Sequence, residues 1–181
     1  MNKLKYLIQY LAIIILFILY KLLGLKFSSI LSGFLFLLIG PLFRSNKLSD
    51  ENLKIAFPKS TNNERKKIIK KMWFNYGQIL AEYMYIKNYR LSEKFEKKIL
   101  VENQKILEEI KYDENPVIFI SGHFNNFELM AMHIEKSGVN LAAIYRPLNN
   151  IFLNPLMERI RKNYICKIQI KKGISGTKEL L

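Results

Sequence analysis

A nearly uninterrupted apolar segment covers residues 6–43 and constrains the fold more than any other feature of the chain. Before Lys21 it contains one polar residue, Gln9, and it is about long enough to span a bilayer when it is extended across that lysine. We therefore predict a membrane-spanning helix near residues 4–25. An amphipathic or membrane-embedded helix is expected to follow over Phe27–Phe43.

Three other interpretations of this segment stay open. A re-entrant hairpin would keep both ends on the cytoplasmic side, and a buried helical hairpin would belong to a soluble protein. A cleaved signal peptide is disfavoured because no small-x-small site precedes Lys21. Basic residues flank the first run on both sides, so the positive-inside rule does not choose an orientation. We divide the chain into a membrane anchor with a membrane-associated helix, residues 1–43, and a second domain, residues 44–181.

The charge of the chain is strongly positive, with 29 Lys and Arg against 15 Asp and Glu and a net charge of +14. Such a charge favours an anionic partner, which could be a nucleic acid, an anionic lipid or an acidic protein. A nucleic-acid module is disfavoured because most aromatic residues fall on apolar faces. One cysteine, Cys166, excludes an internal disulfide framework. With two histidines it makes no plausible metal cluster, so we expect no metal and no cofactor.

The region after residue 44 begins with helices. Asp50–Phe57 fits a short helix that Pro58 ends, and a long amphipathic helix is predicted over residues 62–86. Thr61 and Glu64 have the spacing of a capping box at its start. The early turns of this helix are rich in lysine, which is typical of a solvated face and would also attract anionic headgroups.

Strand and helix patterns alternate in the second half of the chain. The predicted elements are Val117–Ile120 (strand), Asn126–Lys136 (helix), Val139–Tyr145 (strand), Ile151–Tyr164 (helix), Ile165–Ile170 (strand) and Ser175–Leu181 (the start of a helix). This order indicates βαβ units. The predicted fold class is α/β: an N-terminal membrane helix and a helical region, then a mainly parallel or mixed sheet flanked by helices. Three strands make a thin sheet, so the domain is expected to be partial.

The segment Gly122–Glu128 contains the residues best suited to catalysis. His123 follows the predicted strand, and a histidine at that place can remove a proton from a hydroxyl as a general base. Glu128 could orient the imidazole. Five residues correspond to a rotation of about 140° on an ideal helix, so the pair works only if His123 lies before the helix. Asn125 and Glu128 also fit a capping box, which is compatible with the catalytic interpretation.

Arg146 ends the second predicted strand, on the same sheet edge as His123. An arginine there can bind phosphate or carboxylate with two nitrogens. The alternative is that Arg146 caps a loop or pairs with Glu158. His133 lies in the helix after Glu128 and is interpreted as a packed or surface histidine.

Four stretches in a fixed order resemble one protein family. They are Asn52–Pro58, Gly122–Leu129, Tyr145–Asn150 and Asn154–Arg161. With the N-terminal apolar segment they resemble the bacterial late acyltransferases of lipid A biosynthesis, the lauroyl and myristoyl transferases within the lysophospholipid acyltransferase superfamily. The resemblance covers nearly the whole chain.

The resemblance implies transfer of a fatty acyl chain from an acyl carrier protein to a hydroxyl of a lipid A precursor. It implies that His123 is the base and Glu128 its partner, and that Asn126, Arg146 and Arg161 bind substrate. The partners would be the acyl carrier protein, the lipid acceptor and the bilayer. The location would be the bacterial inner membrane, with the active site on the cytoplasmic face.

The chain also departs from the family pattern. Lys171-Lys172-Gly173 stands where the family usually has an arginine. Family members are expected to continue for about a hundred residues more, so the chain is interpreted as truncated at its C-terminus and the activity of the isolated chain is open. Two alternatives remain: a lysophospholipid acyltransferase, and a truncated, non-catalytic relative that binds the membrane surface.

Overall fold

The computed structural model of the chain describes residues 2–113 and 115–180, so Met1, Glu114 and Leu181 lie outside the described residues. The chain forms two compact units, one of residues 1–15 and 85–181 and one of residues 16–84. The element order in the described part is α1 (Asn2–Phe43), α2 (Asn46–Ala56), α3 (Asn62–Tyr83), α4 (Ile86–Leu91), α5 (Glu93–Glu96), α6 (Gln104–Tyr112), α7 (Glu128–Lys136), β1 (Ala142–Tyr145), α8 (Leu153–Tyr164), β2 (Ile168–Lys171) and α9 (Ile174–Leu180).

Helix α1 contains the whole apolar segment and is kinked at Gly24. Gly24 has φ 75° and ψ 162°, a conformation that a residue with a Cβ adopts only at a cost. The kink falls where the sequence predicts one helix to end and another to begin. Among the described residues, α1 is the one helix that is long and apolar enough to cross a membrane, with a mean hydropathy of 2.2 over its most apolar stretch.

In the unit of residues 16–84, α3 packs against the later turns of α1. The hydroxyl of Ser32 donates a 2.6 Å hydrogen bond to the carbonyl of Gly77, and a Cβ at Gly77 would collide with the backbone of Ser32. The predicted capping box of α3 is confirmed, because the Glu64 amide donates to Thr61 Oγ1 at 3.3 Å and the Thr61 amide donates to Glu64 Oε2 at 2.7 Å. Helix α2 starts four residues before the predicted Asp50, because the Ser45 hydroxyl accepts the Lys47 amide and caps it there.

The unit of residues 1–15 and 85–181 contains a βαβ element. Strands β1 and β2 are parallel, with Ala142 opposite Ile168 and Tyr145 opposite Lys171, and α8 is the crossover between them. The predicted strand–helix–strand order and the parallel pairing are therefore confirmed over this stretch. Both strands are shorter than predicted. The core of this unit includes Ile86, Met132, Ile134, Ile165 and Ile170.

The predicted first strand, Val117–Ile120, is wrong. The sheet of the described chain has two strands, and these four residues lie outside it without regular structure. Ile118 and Ile120 are 86% and 93% exposed. A short apolar run becomes a buried strand only when a neighbouring strand satisfies its backbone and another element covers its side chains, and periodicity reports neither condition. The fold is thus mostly helical, with a small parallel sheet, and the α/β class holds coarsely.

Candidate active site

His123 lies in the irregular segment that leads into α7, and its side chain is exposed. Its ring contacts that of Phe127, with centroids 4.2 Å apart and planes tilted by 56°. The histidine therefore precedes the helix, as the catalytic interpretation requires. It follows an irregular segment, however, and not the strand that the sequence predicts.

Glu128 is the first residue of α7 and is buried, with 6% of its surface exposed. Two nitrogens of Arg161 donate to its Oε1 atom, Nε at 2.8 Å and Nη2 at 2.7 Å. The position at a helix N-terminus favours a carboxylate, and the guanidinium compensates its burial. Helix α7 has no side-chain cap, and Asn125 has a φ of 49°, so the alternative capping box is not formed.

Tyr145 connects this ion pair to the sheet. It is the last residue of β1 and is buried, and the guanidinium carbon of Arg161 lies 5.6 Å from the centre of its ring. Burial, assisted by the negative charge of Glu158, raises the pKa of the Tyr145 hydroxyl. The end of β1, the start of α7 and the last turns of α8 therefore meet at Arg161.

The other two predicted substrate-binding residues have different environments. Asn126 is buried, 7% exposed, two residues before Glu128. Arg146 is exposed in the loop after β1. Glu158, its predicted alternative partner, pairs with Lys162 within α8 at 3.3 Å. Arg146 is thus available to an anionic ligand from solvent.

Asn150 is a residue whose role the sequence reasoning missed. Its side chain is buried. The Nδ2 atom donates hydrogen bonds to the carbonyl of Tyr6 at 2.9 Å and to Gln9 Oε1 at 3.2 Å. The Oδ1 atom accepts hydrogen bonds from the amides of Phe152 and Leu153. Asn150 therefore attaches the loop that contains Arg146 to the first turns of α1. The sequence feature that could have indicated this role is the position of Asn150 just before a helix, where an asparagine side chain often accepts hydrogen bonds from backbone amides.

The structure thus brings Glu128 and Arg161 into direct contact, with Asn126 close in sequence and Tyr145 beside the guanidinium. The contact of the His123 ring is with Phe127, and Arg146 faces solvent. The arrangement offers an exposed imidazole just before α7 and an exposed guanidinium just after β1, while the buried ion pair connects α7 to α8. These are the groups that proton abstraction and anion binding need.

A sequence comparison identifies a relative with a similar segment. Over 116 residues the chain is 28% identical to lipid A biosynthesis acyltransferase 2 of Shigella flexneri. The match covers 62% of this chain and 36% of the relative, so the chain spans about a third of that relative's length. No solved structure matches the chain significantly.

A family comparison covers nearly the whole chain. The sequence model of the bacterial lipid A biosynthesis acyltransferases matches residues 1–179. The match includes α1, the segment with His123 and Glu128, and the helix with Arg161. The chain belongs to the bacterial lipid A biosynthesis acyltransferase family.

Proposed function

We propose that this chain provides the general base and the substrate-binding arginine of an acyltransferase that acylates a lipid A precursor. The donor is the thioester of an acyl carrier protein. The observation that carries most weight is the buried pair of Glu128 and Arg161, because it joins two segments that are 33 residues apart and that both fall in the family match.

The proposed reaction begins at the imidazole of His123. A hydroxyl of the acceptor gives its proton to the imidazole, and its oxygen attacks the thioester carbonyl carbon. The tetrahedral intermediate then expels the thiolate as the carbon–sulfur bond breaks. The imidazolium returns its proton to the thiolate, so an ester and a free thiol leave the site.

Three other residues support this step in the proposal. Arg161 fixes Glu128 at the start of α7, and Glu128 orients the segment that holds His123. Arg146 binds the phosphate of the acceptor or stabilises the negative charge that develops on the carbonyl oxygen. An exposed guanidinium can serve in this way because it is open to an incoming substrate.

The proposed location is the cytoplasmic face of the bacterial inner membrane. Support comes from α1, whose exposed face is strongly apolar: Leu4, Ile8, Leu11 and Ile15 recur at helical spacing on it. Contact of this apolar face with lipid is favourable, whereas its exposure to water would cost free energy. Residues 1–43 would then be the anchor and residues 44–181 the domain that carries the site.

The test is acyl transfer by the purified protein in detergent, with acyl carrier protein thioester as donor and lipid A precursor as acceptor. His123→Ala should lower the rate by a factor of about a hundred to ten thousand. His133→Gln is the matched control, since it changes the other histidine of the chain and should retain activity. Wild-type transfer by His123→Ala would disprove the assignment. Offering a lysophospholipid as a competing acceptor distinguishes the two acyltransferase classes.

A further inference from the structure

A groove of about 490 Å³ lies between the last turns of α1 and the first half of α3, with the start of α2 at its side. We refer to it as the α1–α3 groove. Its apolar wall consists of Leu37, Pro41, Ile69 and Trp73. Ile69 and Trp73 are buried, and the indole nitrogen of Trp73 donates to Asn46 at 2.8 Å, so this wall is fixed.

Three lysines line the same groove: Lys47, Lys66 and Lys70. Lys66 and Lys70 are four residues apart on α3, so both point to one face of the helix and repel each other. For the described residues, the structure records no ion pair of either lysine. Lys47 has a 4.0 Å pair with Glu51 that is exposed to solvent and contributes little.

The one carboxylate in the groove does not neutralise these lysines. Asp50 is bound on one oxygen by Lys54 at 2.8 Å and on the other by Arg65 at 2.6 Å. Its charge is therefore already matched by two cations. The groove is left with an excess of positive charge beside an apolar wall.

An exposed apolar stripe on α1 ends at the level of the groove. Phe34, Leu38 and Leu42 are spaced by four residues and are 58%, 76% and 83% exposed. Leu37 and Pro41, which lie in the groove, adjoin them in the chain. Apolar surface that ends in a cluster of lysines is the pattern of a segment at the boundary between acyl chains and headgroups.

We propose that the α1–α3 groove binds the anionic phosphate of a membrane lipid, with Lys47, Lys66 and Lys70 around the phosphate. The acyl chains lie along the stripe of Phe34, Leu38 and Leu42. This site is separate from His123 and Arg146 in sequence and does not depend on acyl transfer. Its role is to keep the end of α1 and the start of α3 at the height of the headgroups.

The test is native mass spectrometry of the full chain in detergent with added phosphatidylglycerol. Lys66→Ala/Lys70→Ala should bind this lipid about thirtyfold more weakly than the wild type. Lys67→Ala/Lys71→Ala removes the same charge from α3 outside the groove, and should retain the wild-type affinity. Circular dichroism verifies that both variants stay folded.

Other results would overturn the proposal. Equal loss of lipid in the two double variants would mean a general charge effect, and unchanged binding in Lys66→Ala/Lys70→Ala would leave the groove without a role. If the protein bound diacylglycerol as tightly as phosphatidylglycerol, the phosphate would not be what the groove recognises. If inorganic phosphate displaced the lipid at the same concentration, the groove would be a site for a free anion. If lipid binding is unchanged and binding of an acidic acyl carrier protein is lost, the surface docks a protein instead.

Discussion

Arg161 binds one carboxylate oxygen of Glu128 with two of its nitrogens, at 2.8 and 2.7 Å, across 33 residues of sequence. The side chains are 15% and 8% exposed, so water screens the pair only weakly. The contact fixes the start of α7 relative to the last turns of α8. Since His123 lies five residues before Glu128, we predict that this ion pair helps to position the proposed base.

Arg161→Met should destabilise the protein by about 3–5 kcal/mol, because it leaves a buried carboxylate without its compensating charge. Urea denaturation followed by circular dichroism measures the loss. Arg159→Met, on the exposed side of the same helix, should change the free energy of unfolding by less than about 0.5 kcal/mol. The double variant Glu128→Leu/Arg161→Met should recover much of the loss, and equal effects of the two single arginine variants would contradict the role of the pair.

Phe127→Leu should lower the rate of acyl transfer while changing stability little. The ring of Phe127 lies 4.2 Å from that of His123 and restricts where the imidazole can lie. A smaller aliphatic side chain releases that restriction, and a displacement of about 1 Å can cost a hundredfold in rate. Steady-state kinetics should show the loss in kcat and an unchanged KM for the donor. Phe124→Leu, an exposed neighbour that makes no recorded ring contact in the described structure, is the control.

Contacts between residues close in sequence are predictable from the sequence of this chain, whereas contacts between distant residues are not. The capping box of Thr61 and Glu64 spans three residues, so a local pattern predicts it. The pair of Glu128 and Arg161 joins two helices through residues that are 33 positions apart in the sequence. No periodicity within either helix indicates that contact.

The dependence on distant contacts also explains why the strand predicted at Val117–Ile120 is wrong. Its composition is that of a buried strand, and a strand forms where another segment supplies hydrogen-bond partners. In the described chain that partner is missing, and Ile118 and Ile120 stay exposed. The strands that do pair, β1 and β2, are joined by α8, which brings them side by side.

Asn150→Ala should weaken the attachment of the loop after β1 to the first turns of α1. The substitution removes two donated and two accepted hydrogen bonds at a buried site, which should cost about 1–3 kcal/mol. Hydrogen–deuterium exchange should show faster exchange of the Phe152 and Leu153 amides. Asn149→Ala changes an exposed asparagine next to it and should leave that exchange as in the wild type.

Gln9→Leu tests the other end of this attachment. If Asn150 orders the loop by itself, exchange at Phe152 and Leu153 stays slow in Gln9→Leu. If the contact with α1 is needed, exchange accelerates there too, by less than in Asn150→Ala, because the bond to the Tyr6 carbonyl remains. An unchanged exchange rate in Asn150→Ala would contradict the whole attachment.

Asp50→Asn should lower the melting temperature at neutral pH, with a loss that disappears in acid. The hydrogen bond from Lys54, and then that from Arg65, hold the pKa of the Asp50 carboxyl below its ordinary value. The folded state therefore binds a proton on Asp50 less readily than the unfolded state does. The resulting stability is present above the ordinary pKa of an aspartate and is lost as the pH falls through the lowered value.

Thermal melts of the wild type and of Asp50→Asn, measured from neutral to acidic pH, test whether the charge of Asp50 stabilises the protein. The two melting temperatures should differ at neutral pH and converge as Asp50 is protonated, because both side chains are then uncharged. Glu51→Gln is the control, since Glu51 is about half exposed and pairs with Lys47 at only 4.0 Å. If the difference in melting temperature between the wild type and Asp50→Asn stayed constant with pH, the charge of Asp50 would contribute nothing to stability. The effect of the asparagine would then come from its shape.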